Sequence, residues 1–267
     1  NVDTDVVNVL FTAQDRNRRL VTDLKQADVR LLENGQPQEI TAFSRQVDLP
    51  LSLAILIDTS ISQERTLPEG RAAAISFLAA VLRPSKDELS AVSFTGESTL
   101  EQGMTNNLTK LRRAVERVQF IAPSGYIGGG VVTNGGRVPG TPPISGDNQS
   151  VAGSTAIWDA IWVTADEVLG PAPERTRRAI ILITDGENTS GRKKLDDAVN
   201  AALKAEAIIY SIGIGDNFYS GVNKGVLNKV SERTGGRAYF PRDERELRDA
   251  FKQIQEEMRS QYLIAYE

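Results

Sequence analysis

Leu51-Ser52-Leu53-Ala54-Ile55-Leu56-Ile57-Asp58-Thr59-Ser60-Ile61-Ser62 is the stretch that decides how this chain folds. Its apolar part reads as a strand buried on both faces, the kind found in parallel sheets covered by helices. A carboxylate and two hydroxyls then follow at alternate positions, an oxygen-rich cluster at the rim of a sheet. The pattern recurs far along the chain, where Ala179-Ile180-Ile181-Leu182-Ile183-Thr184 closes on Asp185-Gly186. Ligands of open α/β sheets bind outside the carboxyl ends of the strands, where strand order reverses. Two strands that each deliver an aspartate to that edge predict a site for a hard cation.

Outside these runs, composition narrows the chemistry. The 267 residues suffice for one large domain and a smaller one, and 40% hydrophobic with 25% charged residues is ordinary for a globular protein. A net charge of -4 argues against nucleic acid as the main partner. No apolar run approaches the ~20 residues that span a bilayer, which argues against direct membrane insertion. The chain starts at Asn1 without a methionine, which reads as an excised or processed piece whose export signal would be hidden. Cys and His are both absent. Imidazole bases, thiolate nucleophiles, disulfides and His/Cys zinc sites are thereby excluded. Any metal must be held by oxygen, which points to Mg²⁺, Mn²⁺ or Ca²⁺.

Residues 1–48 are β-rich. Val6, Val9 and Phe11 mark one strand, and residues 28–33 another. Asn34-Gly35 is a hairpin signal because both residues tolerate positive φ, and residues 39–43 are expected to return antiparallel. From Leu49 strands and helices alternate, which predicts an α/β fold: a doubly wound, mostly parallel sheet with helices on both faces. Thr66 to Glu69 reads as a capping box, opening a helix with Ile75, Leu78, Ala79 and Leu82 inward. A second helix spans Thr155 to Leu169, and its Trp158 and Trp162 are expected in the core. Residues 49–260 are assigned to this domain. The last strand, residues 261–267, is expected to return and complete the N-terminal β module. Pro123 to Gly153, rich in Gly, Pro, Ser and Asn, reads as a long loop, either an insertion or a recognition element beside the site. Lys193-Lys194 and the Arg175, Arg177, Arg178 cluster are too short for a nucleic-acid footprint and are expected to be solvated.

Asp58-x-Ser60-x-Ser62, Thr155 before a helix and Asp185-Gly186 at a strand end together resemble the metal-ion-dependent adhesion site of von Willebrand factor type A domains. The resemblance covers Leu49 to about Ser260. The leading β segment is similar to bacterial VWFA-related proteins, in which a small β module precedes the type A domain. The resemblance implies that Ser60, Ser62 and Thr155 contact a cation through their hydroxyls, while Asp58 and Asp185 hold it directly or through water. It further implies a binding module, not an enzyme, of a secreted or cell-envelope protein. The cation would be Mg²⁺, with Mn²⁺ or Ca²⁺ as substitutes, and the partner a protein offering an Asp or Glu carboxylate.

Each piece also has an ordinary structural use. Asp58, Ser60 and Ser62 suit a turn or helix cap, Thr155 an N-cap, and Asp185-Gly186 a simple turn. Asp159 is placed to brace the site or to cap, and Glu187 and Asn188 to shape partner choice or to sit in solvent. Two further functions remain open on the residues alone. One is a metal-assisted hydrolase or phosphotransferase with Asp58 at its active site; the other is a metal-free structural module.

Overall fold

A computed structural model describes residues 6–16, 20–46, 48–120, 154–173, 176–215 and 221–267. The loop expected at Pro123–Gly153 lies outside the described residues. The chain divides into two compact units, Pro50–Phe251 and a second made of Asn1–Leu49 with Lys252–Glu267.

The smaller unit holds β1 (Val7–Phe11), β2 (Leu32–Glu33), β3 (Gln36–Pro37), β4 (Ala42–Gln46) and β11 (Gln261–Tyr266). β11 lies between β1 and β4, antiparallel to both, so the chain's last strand is the centre of a sheet built from both ends. Tyr262 of β11 stacks between Phe11 and Phe43, with ring centroids 5.4 and 5.5 Å away. Its hydroxyl donates to Val21 O and accepts from Leu24 N–H. Asn34 and Gly35 have φ of 49° and 82°, the positive values of a type I′ turn. The hairpin they close is shorter than expected. Only β2 and β3 pair across it, and β4 pairs with β11 instead. Gln26–Asp28 form a 3-10 turn where a strand was expected to begin, and Pro37, with no N–H to donate, limits pairing across the hairpin.

The larger unit is a six-stranded sheet in the order β10-β9-β8-β5-β6-β7. Its strands are β5 (Leu51–Asp58), β6 (Glu88–Phe94), β7 (Ser98–Thr105), β8 (Arg177–Thr184), β9 (Ala207–Gly213) and β10 (Ala238–Tyr239). Only the β6–β7 pair is antiparallel. The chain leaves central β5 for β6 on one side and later resumes at β8 on the other, so strand order reverses at β5. All eight β5 residues are buried, and each fully buried Leu or Ile contributes roughly 1.5–3 kcal/mol.

Alternate residues of the strands meet helices on opposite faces. Ala54, Leu56, Val92, Ile180, Leu182 and Ile209 pack with α3 (Ile157–Val163), α4 (Leu195–Lys204) and α5 (Lys224–Glu232). On the other face α1 (Leu67–Val81) comes so close that a methyl on Gly70 would touch Ile183. Phe77 of α1 meets Phe251 of α6 (Glu244–Arg259) at 4.8 Å between centroids. A further helix, α2 (Leu108–Arg117), buries Leu111, Ala114 and Val115.

Several local expectations are corrected. The buried face of α1 is Gly70, Ala73, Ala74, Phe77, Leu78 and Val81, while Ala79 is exposed. Small residues permit this close approach, and a count of large apolar positions does not weigh them. The Thr66 hydroxyl donates to Gln63 Oε1 at 2.8 Å and caps nothing, so the capping box is not formed. The 155–169 helix begins at Ile157 and changes to π pitch over Thr164–Leu169. Trp162 is only half-buried, with the Lys193 ammonium 3.9 Å from its ring centroid. Arg177 is buried, and the Arg178 guanidinium donates to Ala172 O, Pro173 O and Glu206, so neither is a solvated charge.

Candidate metal centre

β5 delivers Asp58 to the carboxyl edge at the point where strand order reverses. The carboxylate Oδ1 accepts the Ser60 N–H at 2.9 Å, turning the backbone immediately after the strand. Thr59 donates both its N–H and its hydroxyl to Phe94 O, at 2.8 and 2.9 Å, which ties this turn to the end of β6. The Ser60 and Ser62 hydroxyls lie 3.2 Å apart. Gln63 closes the turn: its N–H bonds Ser60 O at 2.9 Å and its side-chain amide donates to Ile214 O at 3.2 Å. Asp58 and Ser60 are buried and Ser62 is half-buried.

β8 brings Thr184 and Asp185 to the same edge. The register that pairs Ile57 with Ile183 sets Asp58 beside Thr184, and the Thr184 hydroxyl donates to Asp58 Oδ2 at 2.5 Å. Asp185 Oδ1 accepts the Glu187 N–H at 3.0 Å. Gly186 has φ +86°, and a Cβ there would fall 2.9 Å from Leu227 Cγ and 3.2 Å from Asn223 O. Only glycine fits this turn without strain.

Thr155 arrives from the loop before α3. Its neighbours bind Thr95, just past β6: Ala156 N–H donates to Thr95 O at 2.8 Å, and the Thr95 hydroxyl to Ser154 O at 2.6 Å. Thr155 N–H donates to the Thr189 hydroxyl at 2.8 Å, and Thr155 O accepts the N–H groups of Thr189 and Ser190. Its backbone is thus locked between the β6 and β8 loops, while its own hydroxyl has no hydrogen-bond partner among the described residues. All five residues expected to form the site therefore reach one edge of one sheet.

The electrostatics of this edge are unbalanced. Burial and, secondarily, the charge of Asp185 push the Asp58 carboxyl up to about 7, against the pull of hydrogen bonds from Ser60 and Thr184. No Lys or Arg among the described residues pairs with either aspartate. Two close carboxylates without a counter-charge are costly to bury ionised. A bound cation removes that cost, so the residues present fit a metal. No group of three or more carboxylates forms among the described residues, so hydroxyls and water must complete any coordination sphere.

Thr184 is a member of this edge that no motif marks, although a polar residue closing an apolar run immediately before an aspartate is a usable sign. Asn188, expected to shape partner choice or to sit in solvent, instead caps α3 through its Oδ1, which accepts from Ile157 N–H at 2.8 Å and Trp158 N–H at 3.4 Å. A cap supplied from another loop has no local spacing to betray it. Asp159 braces the same loop by accepting the N–H groups of Arg192 and Lys193 at 2.9 to 3.1 Å.

Solved structures of other proteins share this fold. Among solved structures, an aerotolerance-related membrane protein from Bacteroides fragilis shares the fold at a TM-score of 0.54 and 19% identity, over 78% of this chain and 98% of that one. A von Willebrand factor type A protein from Catenulispora acidiphila matches at 0.56 and 16% identity, over 86% of this chain and 52% of that one. Proximal thread matrix protein 1 from the mussel byssus, with a zinc-occupied MIDAS motif, matches at 0.55 and 18% identity, over 84% of this chain and 49% of that one. No curated protein matches the chain at a significant level. Residues 145–253, which include Thr155 and Asp185, match the sequence family of the von Willebrand factor type A domain. The sheet order and helices described above are those of a von Willebrand factor type A-like α/β fold.

Proposed function

We propose that this protein is a divalent-cation-dependent protein-binding module, in which the cation accepts an Asp or Glu carboxylate from a partner protein. Asp58, Ser60, Ser62, Thr155 and Asp185 would hold the ion. The observation that carries this reading is Asp58: a buried carboxylate beside a second carboxylate, paired with no Lys or Arg among the described residues. Oxygen-only donors in a chain without His or Cys favour Mg²⁺ or Mn²⁺, with Ca²⁺ as a substitute. Three neutral hydroxyls and two carboxylates offset the ion's charge without surrounding it with acids, so an outside carboxylate is a natural further ligand. The family of the domain, whose members are generally interaction modules, and the metal-bearing site of the byssus protein support the same direction.

The hydrolase or phosphotransferase alternative is less well supported. Both oxygens of Asp58 are held by donors, Ser60 N–H and the Thr184 hydroxyl, which leaves a poor nucleophile. A cell-envelope or secreted setting is in keeping with the membrane-protein description of the Bacteroides fragilis relative. No helix among the described residues is long and apolar enough to cross a membrane.

Calorimetric titration of the metal-stripped chain with Mn²⁺ and Mg²⁺ tests the reading. One ion per chain should bind, and Asp58→Ala and Asp185→Ala should each abolish the heat. Unchanged binding in both variants would refute the assigned ligands.

A further inference from the structure

Thr184 is fully buried at the end of β8 and touches both halves of the proposed site. A hydroxyl has one hydrogen and two lone pairs. Gly186 N–H donates into the Thr184 oxygen at 3.1 Å, occupying a lone pair. The single hydrogen is directed to Asp58 Oδ2 at 2.5 Å. The direction of this relay is therefore fixed, from the Asp185–Gly186 turn through Thr184 to Asp58. Threonine is β-branched and stiff about χ1, so the strand backbone itself sets where the hydroxyl sits.

The geometry points to Thr184 as a positioning residue for the cation: its hydroxyl pins Asp58 in the orientation that metal binding requires and couples it to the Asp185–Gly186 turn. Asp58 is then held at both oxygens, by Ser60 N–H at Oδ1 and by Thr184 at Oδ2. Neither bond places the hydroxyl of Thr184 on the metal. It acts through Asp58 by removing the carboxylate's rotational freedom before the ion arrives, so less order is lost on binding. The site is shared between two strands, and this bond is a direct side-chain link between their carboxyl ends. The inference rests on the metal-binding reading above.

Three variants separate it from a purely structural role. Thr184→Ser keeps the hydroxyl, Thr184→Val keeps the shape and loses it, and Thr184→Cys keeps the approximate volume with a much weaker donor. Mn²⁺ affinity is measured by calorimetry on the whole chain at pH 7.5, and thermal melts are recorded in EDTA. The expected result is that the serine variant binds within about threefold of wild type, while valine weakens binding at least tenfold and cysteine at least fivefold (a charge-assisted hydrogen bond is worth roughly one to two decades). Should the valine variant fail to fold, the serine-to-cysteine contrast decides. Wild-type affinity in the valine or cysteine variant overturns the role of Thr184 while leaving the metal reading intact. Absence of Mn²⁺ binding by the wild-type chain overturns both.

Discussion

Two buried aspartates stand at opposite ends of the same pair of strands, and the chain treats them differently. Asp87, at the amino end of β6, has a fully buried side chain. It accepts Leu51 N–H at 3.0 Å, Arg83 N–H at 2.8 Å and the Arg83 guanidinium at 3.3 Å. Its charge is neutralised from within the chain. Asp58, at the carboxyl end of β5, takes two donors and faces a second carboxylate instead of a cation. The first arrangement is complete as folded and locks the sheet's amino edge. On the proposed reading the second is complete only when a positive charge comes from outside, which is how a structural carboxylate differs from a ligand-binding one.

The sharpest way to break that comparison is to neutralise each aspartate in turn. Asp87→Asn should lower stability by about 1–3 kcal/mol, because an amide nitrogen replaces one buried acceptor of the Leu51 and Arg83 N–H groups and the half-buried Arg83 loses its counter-charge. Asp58→Asn should instead leave the metal-free protein as stable as wild type, or more so, at pH 8. Urea denaturation in EDTA checks both. A large loss in Asp58→Asn would mean that its charge is already compensated.

Acidity should separate the two ends next. The Asp58 carboxyl is raised to about 7 in the folded chain from 3.8. Between those values the folded state holds a proton that the unfolded state has released. Metal-free stability should therefore fall as pH rises from about 4 to about 7 and level off above, by up to roughly 4 kcal/mol. Exposed Asp196 and Asp243 and half-buried Glu246, whose carboxyls are lowered, contribute in the opposite sense at lower pH. The difference between wild type and Asp58→Asn isolates the wanted effect. Mg²⁺ should abolish it.

Asn188→Ala should cost about 1 kcal/mol, the usual loss of a helix cap, and should weaken Mn²⁺ binding indirectly through the Thr155 loop. Ser62→Ala is the mildest change. It should weaken Mn²⁺ binding several-fold and alter stability by less than about 0.5 kcal/mol, since Ser62 is half-buried and its described bond is to Ser60.

Much of this contrast was legible from residue order. Continuous apolar runs at 51–57 and 179–183 predict buried parallel strands, and polar residues at their ends locate the binding edge. Both follow from local chemistry read along a strand. The return of residues 261–266 into the N-terminal sheet was legible because short strands need cover. What was not legible depends on approach across space. The tight fit of α1 through Gly70, Ala73 and Ala74, the cap that Asn188 gives to α3, and the Thr184–Asp58 bond each join residues whose spacing carries no periodic signal. Asp87 carries no signal in the sequence for the same reason: an Arg-Asp pair four residues apart is common on surfaces, and only burial distinguishes this one.

The most direct test of the central claim, that the carboxyl edge is completed by an outside cation, is anomalous diffraction from a crystal of the chain soaked in Mn²⁺. The account predicts one strong peak among the Ser60, Ser62 and Thr155 hydroxyls, with Asp58 and Asp185 beside it and a coordination position facing solvent or a neighbouring carboxylate. A peak elsewhere, or none at this edge under conditions where Mn²⁺ is saturating, would contradict it.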